Sequence, residues 1–194
     1  MQGMLFVVSG PSGVGKTSVV NEILKRYPQV FRRVITYTTK PARHTEVHGQ
    51  DYYFISDEEF MDKVHSGFFL EWSDSYIYKY GTPAFIQDDM QQGVNYILII
   101  DRAGVQALQT LGISCVSIWL CPESVDVLEQ RLVKRGTETT EKIQKRLEIA
   151  RQELACEIDG SVCDYTAPVH TIEQGVQSVL DIVFSHIKKN VKDF

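Results

Sequence analysis

The segment Gly10-Pro-Ser-Gly-Val-Gly-Lys-Thr17 decides the fold of this 194-residue chain. It follows a short apolar run, Met4-Leu-Phe-Val-Val-Ser9, and precedes a stretch whose apolar residues recur at helical spacing. The segment matches G-x-x-x-x-G-K-[ST], in which glycines turn successive backbone N–H groups toward phosphate oxygens and the following helix adds partial positive charge. A plain glycine turn would not need Lys16 or Thr17. We therefore expect a phosphate-binding loop for ATP, formed by Gly10, Pro11, Ser12, Gly13, Val14, Gly15, Lys16 and Thr17.

The overall composition bounds what the chain can be. Its 20 basic and 25 acidic residues give a net charge of −5, which disfavours a protein that coats nucleic acid. Hydrophobic residues make up 43% of the chain, as in folded domains. No apolar run approaches the ~18 residues of a membrane span, and Met1-Gln-Gly-Met4 lacks the positive lead of a signal peptide. We expect a cytoplasmic monomer or weak homo-oligomer without membrane or nucleic-acid partners, its four cysteines reduced and mostly buried.

Three strand–turn–helix units predict an α/β core with a parallel sheet flanked by helices. The first contains the phosphate loop, the second ends Tyr96-Ile-Leu-Ile-Ile100 at Asp101, and the third runs from Cys115 to Cys121 and into a helix. Residues 34–85 differ, because aromatic residues crowd there and polar and apolar residues alternate, which predicts an inserted, mixed α/β lobe. We assign the core to residues 1–33, 86–125 and 158–194 and a helical lid to 126–157, all within one domain.

The sequence of the phosphate-binding loop also predicts that a metal ion binds there. Lys16 should reach the β- and γ-phosphates of ATP, and the Thr17 hydroxyl should ligate Mg²⁺. Asp101 ends a neighbouring strand and is the candidate for the outer shell of that metal ion. Asp101-Arg-Ala-Gly104 also mimics the D-x-x-G segment of GTPases, but no guanine-reading N-K-x-D motif occurs at a matching place.

The inserted lobe contains four further motifs. They are Thr36-Tyr-Thr-Thr-Lys40-Pro-Ala-Arg43, Glu46-Val-His-Gly49-Gln-Asp51-Tyr52-Tyr-Phe54, Phe69-Leu-Glu71-Trp72 and Tyr80-Gly81-Thr82. In order and at nearly family spacing, they resemble the T-T-R, G-x-D-Y-x-F, F-x-E-W and Y-G-[ST] motifs of the guanylate kinases. A later R-G-T also fits, so the resemblance covers about Met4 to Asp164 and implies ATP and GMP as substrates.

Independently of the resemblance, the chemistry of guanine calls for a carboxylate in the base-binding site. The Watson–Crick edge of guanine presents two adjacent donors that fit the two oxygens of one carboxylate, whereas adenine has an acceptor there. Glu71 is our candidate for that carboxylate. The resemblance implies hydroxyls from Thr36 and Thr82 near guanine O6 and a further GMP contact from Asp101. Charge and phenolic donors for the GMP phosphate would come from Lys40, Arg43, Tyr52 and Tyr80. Without the resemblance, the two tyrosines would be read as core aromatics, the two cations as a solvated loop and Glu71, beside Trp72, as a surface strand residue.

The lid segment carries three arginines. Arg131 and Arg135 are four residues apart on one helix face, and Arg146 lies on the next helix. Taken alone, these side chains would be read as partners of Glu129 and Glu148 on a solvated surface. The resemblance instead implies that they close over the triphosphate, where they act with Lys16 as catalytic residues that neutralise charge during transfer.

Several positions depart from the family pattern. Lys40 stands where arginine is usual, and a lysine cannot make a two-pronged contact with phosphate. Ile99 replaces a frequent acidic residue, and Ala103 replaces a usual glutamine. The V-x-N-D-D segment near the adenine is replaced by Asp164-Tyr-Thr-Ala-Pro-Val-His170.

The sequence favours a kinase that converts ATP and GMP to ADP and GDP with Mg²⁺, and dGMP is a further candidate acceptor. Two alternatives remain open. One is a guanylate-kinase-like interaction module without turnover, although such modules typically have degraded phosphate loops and this one is intact. The other is a kinase for a different small monophosphate.

Overall fold

The computed structural model describes residues 2–75, 78–135, 139–159 and 161–192, apart from the side chains at 75, 135, 158–159 and 189–192. Within those ranges, five strands form a parallel sheet in the order β2-β7-β1-β8-β9. The strands are β1 (Leu5–Ser9), β2 (Phe31–Arg33), β7 (Asn95–Ile99), β8 (Val116–Pro122) and β9 (Tyr165–Val169). The predicted parallel core is therefore confirmed, although β7 and β8 are each displaced by one residue from the expected strands.

The central strand β1 shows why the sheet is parallel and covered on both faces. All five of its residues are buried. Phe6 and Val8 join the apolar cluster on one face, and Leu5 and Val7 join the cluster on the other. A run of apolar residues with no polar alternation can be accommodated only where helices cover both sides.

Seven helices lie around the two sheets within the described part of the chain. α1 (Lys16–Arg26) packs against α7 (Ile172–Lys192), and α5 (Val125–Arg135) packs against α6 (Thr140–Asp159). The remaining helices are α2 (Asp57–His65), α3 (Ile86–Gln91) and α4 (Arg102–Thr110). No helix of the described ranges is both long enough and apolar enough to cross a bilayer.

A second sheet of four strands lies within residues 34–85, in the order β4-β3-β6-β5. Its strands are β3 (Tyr37–Thr38), β4 (Tyr53–Phe54), β5 (Phe69–Ser75) and β6 (Tyr78–Pro83). The β3–β4 pair is parallel and the other two pairs are antiparallel. α4 of the core packs against β5, so the second sheet contacts the core through β5.

The cysteines differ from the expectation of mostly buried thiols. All four are free, and Cys163 is buried. Cys115 and Cys121 are half-buried, and Cys156, on α6, is exposed.

Candidate functional site

The phosphate loop joins β1 to α1 at the carboxyl edge of the parallel sheet, which is where ligands of open α/β sheets bind. Gly13 and Gly15 adopt φ of 87° and 110°, which favours glycine, and Gly15 directly precedes α1. The Lys16 ammonium donates to the carbonyls of Gly10 (2.5 Å) and Pro11 (3.2 Å), so it folds over the loop. The geometry is that of a backbone cradle for phosphate with a lysine beside it.

The donors around this loop suit a magnesium ion that is held together with nucleotide phosphates. Thr17 is the second residue of α1, and Asp101 follows β7, the strand next to β1. Among the described residues, no cluster of three or more His, Cys, Asp or Glu could hold an ion alone. Mg²⁺ commonly takes few protein oxygens and completes its shell with water and phosphate, so the sparse set fits.

Asp101 has a second, structural task. One of its oxygens accepts the Gly104 N–H (2.8 Å) and caps α4. This bond fixes the carboxylate at the cleft beside Lys16. A carboxylate so oriented can reach toward a ligand with its second oxygen.

The cleft between the two sheets contains the predicted guanine carboxylate. Glu71 is only 4% exposed, and its Oε1 accepts the Thr82 hydroxyl at 2.6 Å. Its Oε2 is buried and has no hydrogen-bond partner within the described part of the chain. The cleft is lined by Lys16, Thr36, Tyr52, Glu71, Ser73, Tyr80, Gly81, Ile99, Ile100 and Asp101. A buried acceptor without a partner costs free energy, so this oxygen is suited to a ligand donor.

Burial raises the pKa of Glu71 to about 7. The Thr82 hydroxyl opposes this shift, and the negative charge of Asp101 adds to it. Near neutral pH the carboxyl group is thus poised between its two protonation states. Donors from a guanine base would favour the ionised state.

The cations expected to hold the GMP phosphate lie in the loop before β4. Lys40 is only 8% exposed, contrary to the solvated loop expected on composition alone, and it makes an ion pair with Glu46. Arg43 also contacts Glu46, at 3.5 Å. The rings of Tyr52 and Tyr80 lie 6.0 Å apart, and burial raises the pKa of both phenols, so both remain donors at neutral pH.

The lid arginines occupy different places. Arg131 on α5 donates to the carbonyl of Val14 in the phosphate loop (2.8 Å) and to that of His170 (3.2 Å). Arg146 on α6 lies close enough to the GMP side of the cleft for its charge to act on two groups there: burial lowers the pKa of Lys40 and Arg146 adds to that shift, whereas burial raises the pKa of Tyr80 and Arg146 opposes that shift. The side chain of Arg135 lies outside the described residues. One lid arginine therefore lies at the donor side and another faces the acceptor side.

The sequence reasoning assigned no role to Glu46 or to Glu153. Glu153 lies on α6, and one of its oxygens is buried without a hydrogen-bond partner in the described ranges; burial raises its pKa to about 7. Lys16 and Asp101 act on its charge from the phosphate side. Glu153 follows Arg146 by seven residues, or two helical turns, and this spacing was the available signal that both share a face. For Glu46, the signal was its closeness in sequence to two cations.

These features define the class of protein. A phosphate loop at the edge of a parallel sheet, an inserted lobe with a buried carboxylate and a cationic loop, and arginine-bearing helices together form a P-loop nucleoside monophosphate kinase. Such enzymes are phosphotransferases, whose main task is to position the two substrates and to stabilise charge on the transferred group.

Comparison with known proteins identifies the family. The guanylate kinase family model matches residues 2–186. Guanylate kinase from Thermotoga maritima is 38% identical over 190 residues, covering 97% of this chain and 90% of that protein. Guanylate kinase from Protochlamydia amoebophila is 42% identical over 154 residues, covering 79% and 77% respectively. The crystal structure of guanylate kinase from Anaplasma phagocytophilum superposes with a TM-score of 0.77 at 28% identity, covering 95% of this chain and 86% of that one. The chain belongs to the guanylate kinase family, which confirms the resemblance read from its motifs.

Proposed function

We propose that this chain transfers the γ-phosphoryl group of ATP to GMP, and that Glu71 recognises the guanine base. The main supporting observation is the buried Oε2 of Glu71, which has no hydrogen-bond partner among the described residues; Glu71 lines the cleft together with Thr36 and accepts from Thr82. Its two oxygens match N1–H and the N2 amine of guanine, and the Thr36 hydroxyl can donate to O6, because the Thr82 hydroxyl already donates to Glu71. Adenine would place an acceptor against this carboxylate, which disfavours AMP.

The acceptor phosphate would be held by the loop that precedes β4. Lys40 and Arg43 supply positive charge there, and Tyr52 and Tyr80 supply phenolic donors. Charge-assisted bonds of this kind fix a phosphate more strongly than neutral ones. The attacking oxygen is thereby positioned for in-line transfer, which is the main demand of this reaction.

The donor triphosphate would lie on the loop from Gly10 to Thr17. The backbone N–H groups and Lys16 would bind its phosphates, and Arg131 and Arg146 would neutralise charge on the transferred group from two sides. Mg²⁺ would be held by Thr17 together with the phosphates, and by Asp101 through water, and would supply charge neutralisation of its own. No covalent enzyme intermediate is needed. The lid assignment of 126–157 also predicts exclusion of water from the cleft.

An assay of ADP release with Mg·ATP and each of GMP, dGMP, AMP, CMP and UMP tests the proposal. We expect turnover with GMP, slower turnover with dGMP, and no rate above ATP hydrolysis for AMP, CMP and UMP. An absence of turnover with GMP, together with measurable GMP binding, would instead favour the interaction module. A preference for another monophosphate would favour the second alternative. The cytoplasmic location and the monomeric or weakly oligomeric state stay predictions.

A further inference from the structure

Glu46 organises the loop that carries the two phosphate-binding cations. Both of its oxygens accept from the Lys40 ammonium, at 2.7 Å and 2.5 Å. Its Oε2 also accepts the backbone N–H of Arg43 at 2.8 Å, and its Oε1 lies 3.5 Å from the Arg43 guanidinium. The side chains of Lys40 and Glu46 are only 9% and 13% exposed, so this pair is largely shielded from water.

The Lys40 ammonium is restrained from a second side by aromatic rings. It lies 5.0 Å from the ring centroid of Tyr52 and 5.5 Å from that of Phe54, within the range of a cation–π contact. Burial lowers the pKa of Lys40, and the bond to Glu46 opposes that shift. For Glu46, burial raises the pKa, but the bonds from Lys40 and Arg43 outweigh it, so the net pKa is lowered. Each charge thus keeps the other ionised.

This arrangement answers a problem that Lys40 creates. An ammonium has three donors on a flexible stem and no fixed direction, whereas a guanidinium presents a rigid fork. With two donors on Glu46, Lys40 keeps one donor in a defined direction. The carboxylate offsets one of the two cations, so Lys40, Arg43 and Glu46 together retain one positive charge.

We propose that Glu46 is a positioning residue for the acceptor phosphate, which it serves by holding Lys40 and Arg43 side by side. The inference rests on the proposed function, because it takes the loop to be the GMP phosphate site. The opposite role for Glu46 would be that of a competitor of the GMP phosphate. A carboxylate in that place could compete with phosphate for the same cations. The two roles differ in sign, since loss of a positioning residue weakens GMP binding and loss of a competitor strengthens it.

Calorimetric binding of GMP and of guanosine to Glu46→Gln separates these roles. The amide oxygen of glutamine can still accept from Arg43, but the charge that fixes Lys40 is gone. We expect the Kd of GMP to rise about tenfold or more, as for a charge-assisted contact. Guanosine has no phosphate, so its Kd should stay the same. The KM of GMP should rise with the Kd, and kcat should change less. An unchanged or lower Kd for GMP would overturn the proposal.

Further variants keep the test decisive. Glu46→Asp retains the charge and should recover part of the GMP affinity, and it serves if the glutamine variant does not fold. In a Lys40→Met background, Glu46→Gln should have a smaller effect on the Kd of GMP, and equal effects in both backgrounds would contradict positioning through Lys40. Glu58→Gln, at an exposed position of α2, is the matched control. If the wild-type chain neither binds nor phosphorylates GMP, the proposed function itself fails, which these variants cannot mimic.

Discussion

At the scale of single residues, Glu71 is under two opposing demands. Recognition of guanine needs an ionised carboxylate, but burial favours the neutral form and raises the pKa from 4.5 to about 7. The contribution of this group to stability is therefore most favourable below about pH 4.5 and is lost as the pH rises through about 7. For a nearly buried group the full shift corresponds to a cost of about 3 kcal/mol above pH 7. The ligand-binding oxygen is thus retained at the expense of folding free energy.

Replacement of Glu71 by glutamine should reverse that balance. Glutamine can accept the Thr82 hydroxyl but carries no charge to desolvate. At pH 8 and without ligand, we expect Glu71→Gln to raise the free energy of unfolding by about 1–3 kcal/mol while kcat/KM for GMP falls about a hundredfold or more. Urea denaturation and the ADP-release assay measure the two effects. Glu58→Gln, at an exposed position, should change neither quantity.

A loss of stability in Glu71→Gln would show that the carboxylate is not strained by burial. Unchanged kcat/KM would remove Glu71 from the guanine site. The two readouts are independent, so each can fail alone.

The same pKa predicts how GMP binding depends on pH. Because guanine donors need the ionised carboxylate, GMP affinity should fall as the pH drops through about 7. Between pH 8 and pH 6 the contribution of Glu71 should be about tenfold in Kd. The GMP phosphate titrates in the same range, so Glu71→Gln, which keeps only the phosphate contribution, is the matched control for calorimetric titrations. Identical pH profiles for the two proteins would contradict the assignment.

At the scale of elements, α6 presents different side chains to the cleft and to water. Arg146 is half-buried and its charge is felt by Lys40 and Tyr80, whereas Arg151 on the same helix is exposed. We expect Arg146→Ala to lower kcat by about a hundredfold or more, because an arginine near the transferred group stabilises charge in the transition state. Arg151→Ala removes an equal charge from the same helix and should change kcat less than about twofold, as expected for a surface site. Equal effects of the two variants would show that α6 acts only through its net charge.

An ion pair joins the C-terminal end of α6 to the core. Arg102, the first residue of α4, donates to Glu157 at 3.0 Å, and the Glu157 side chain is only 8% exposed. Arg102→Met should destabilise the protein by about 2–3 kcal/mol, because the nearly buried carboxylate then keeps the neutral donors of Ser161 and Val162 but loses the charge of Arg102. The double variant with Glu157→Gln should recover much of that loss in thermal denaturation. A double variant as unstable as Arg102→Met alone would show that packing of Arg102, and not its charge, matters.

The elements differ in how far the sequence reveals them. β1, β7 and β8 were predicted to within one residue because each is an apolar run ending in a turn signal. β9 was not predicted as a strand, since it contains Pro168 and buries only Ala167 and Val169, as an edge strand can. Its position depends on pairing with β8, which local sequence does not encode.

The functional site likewise contains some residues that the sequence reveals and some contacts that it does not. The donor pattern of guanine calls for a carboxylate, and the Phe69-Leu-Glu71-Trp72 motif selected Glu71, which the structure places in the cleft with one oxygen available. The pairing of Lys40 with Glu46 could not be predicted, because it depends on how a loop folds back between two strands. Arg131 was expected to approach a triphosphate, and it contacts the backbone of the phosphate loop. Side-chain partners in loops follow from tertiary contacts, which a single sequence does not specify.

At the scale of the whole molecule, the net charge of −5 conceals how charge is distributed. Cations from three separate parts of the chain converge on one cleft, where a carboxylate or a backbone carbonyl contacts four of them and the charge of Arg146 acts on groups of the cleft. The cations are Lys16, Lys40, Arg43, Arg131 and Arg146. A cleft of this kind attracts anionic nucleotides locally while the surface as a whole stays acidic.

The contacts between the lobe and the core predict that both unfold together. Val34, where the lobe begins, and Leu70, on β5 of the lobe, pack into the same apolar cluster as Leu98 and Trp119 of the core sheet. Calorimetry should therefore show one transition, as in two-state domains. GMP binds mainly residues of the lobe, yet at about 100 times its Kd it should stabilise the entire chain by about 2.7 kcal/mol and raise the single Tm by roughly 5–10 °C. Two transitions, of which GMP shifts only one, would show that residues 34–85 fold as a separate unit, and the proposal of one domain would then be wrong.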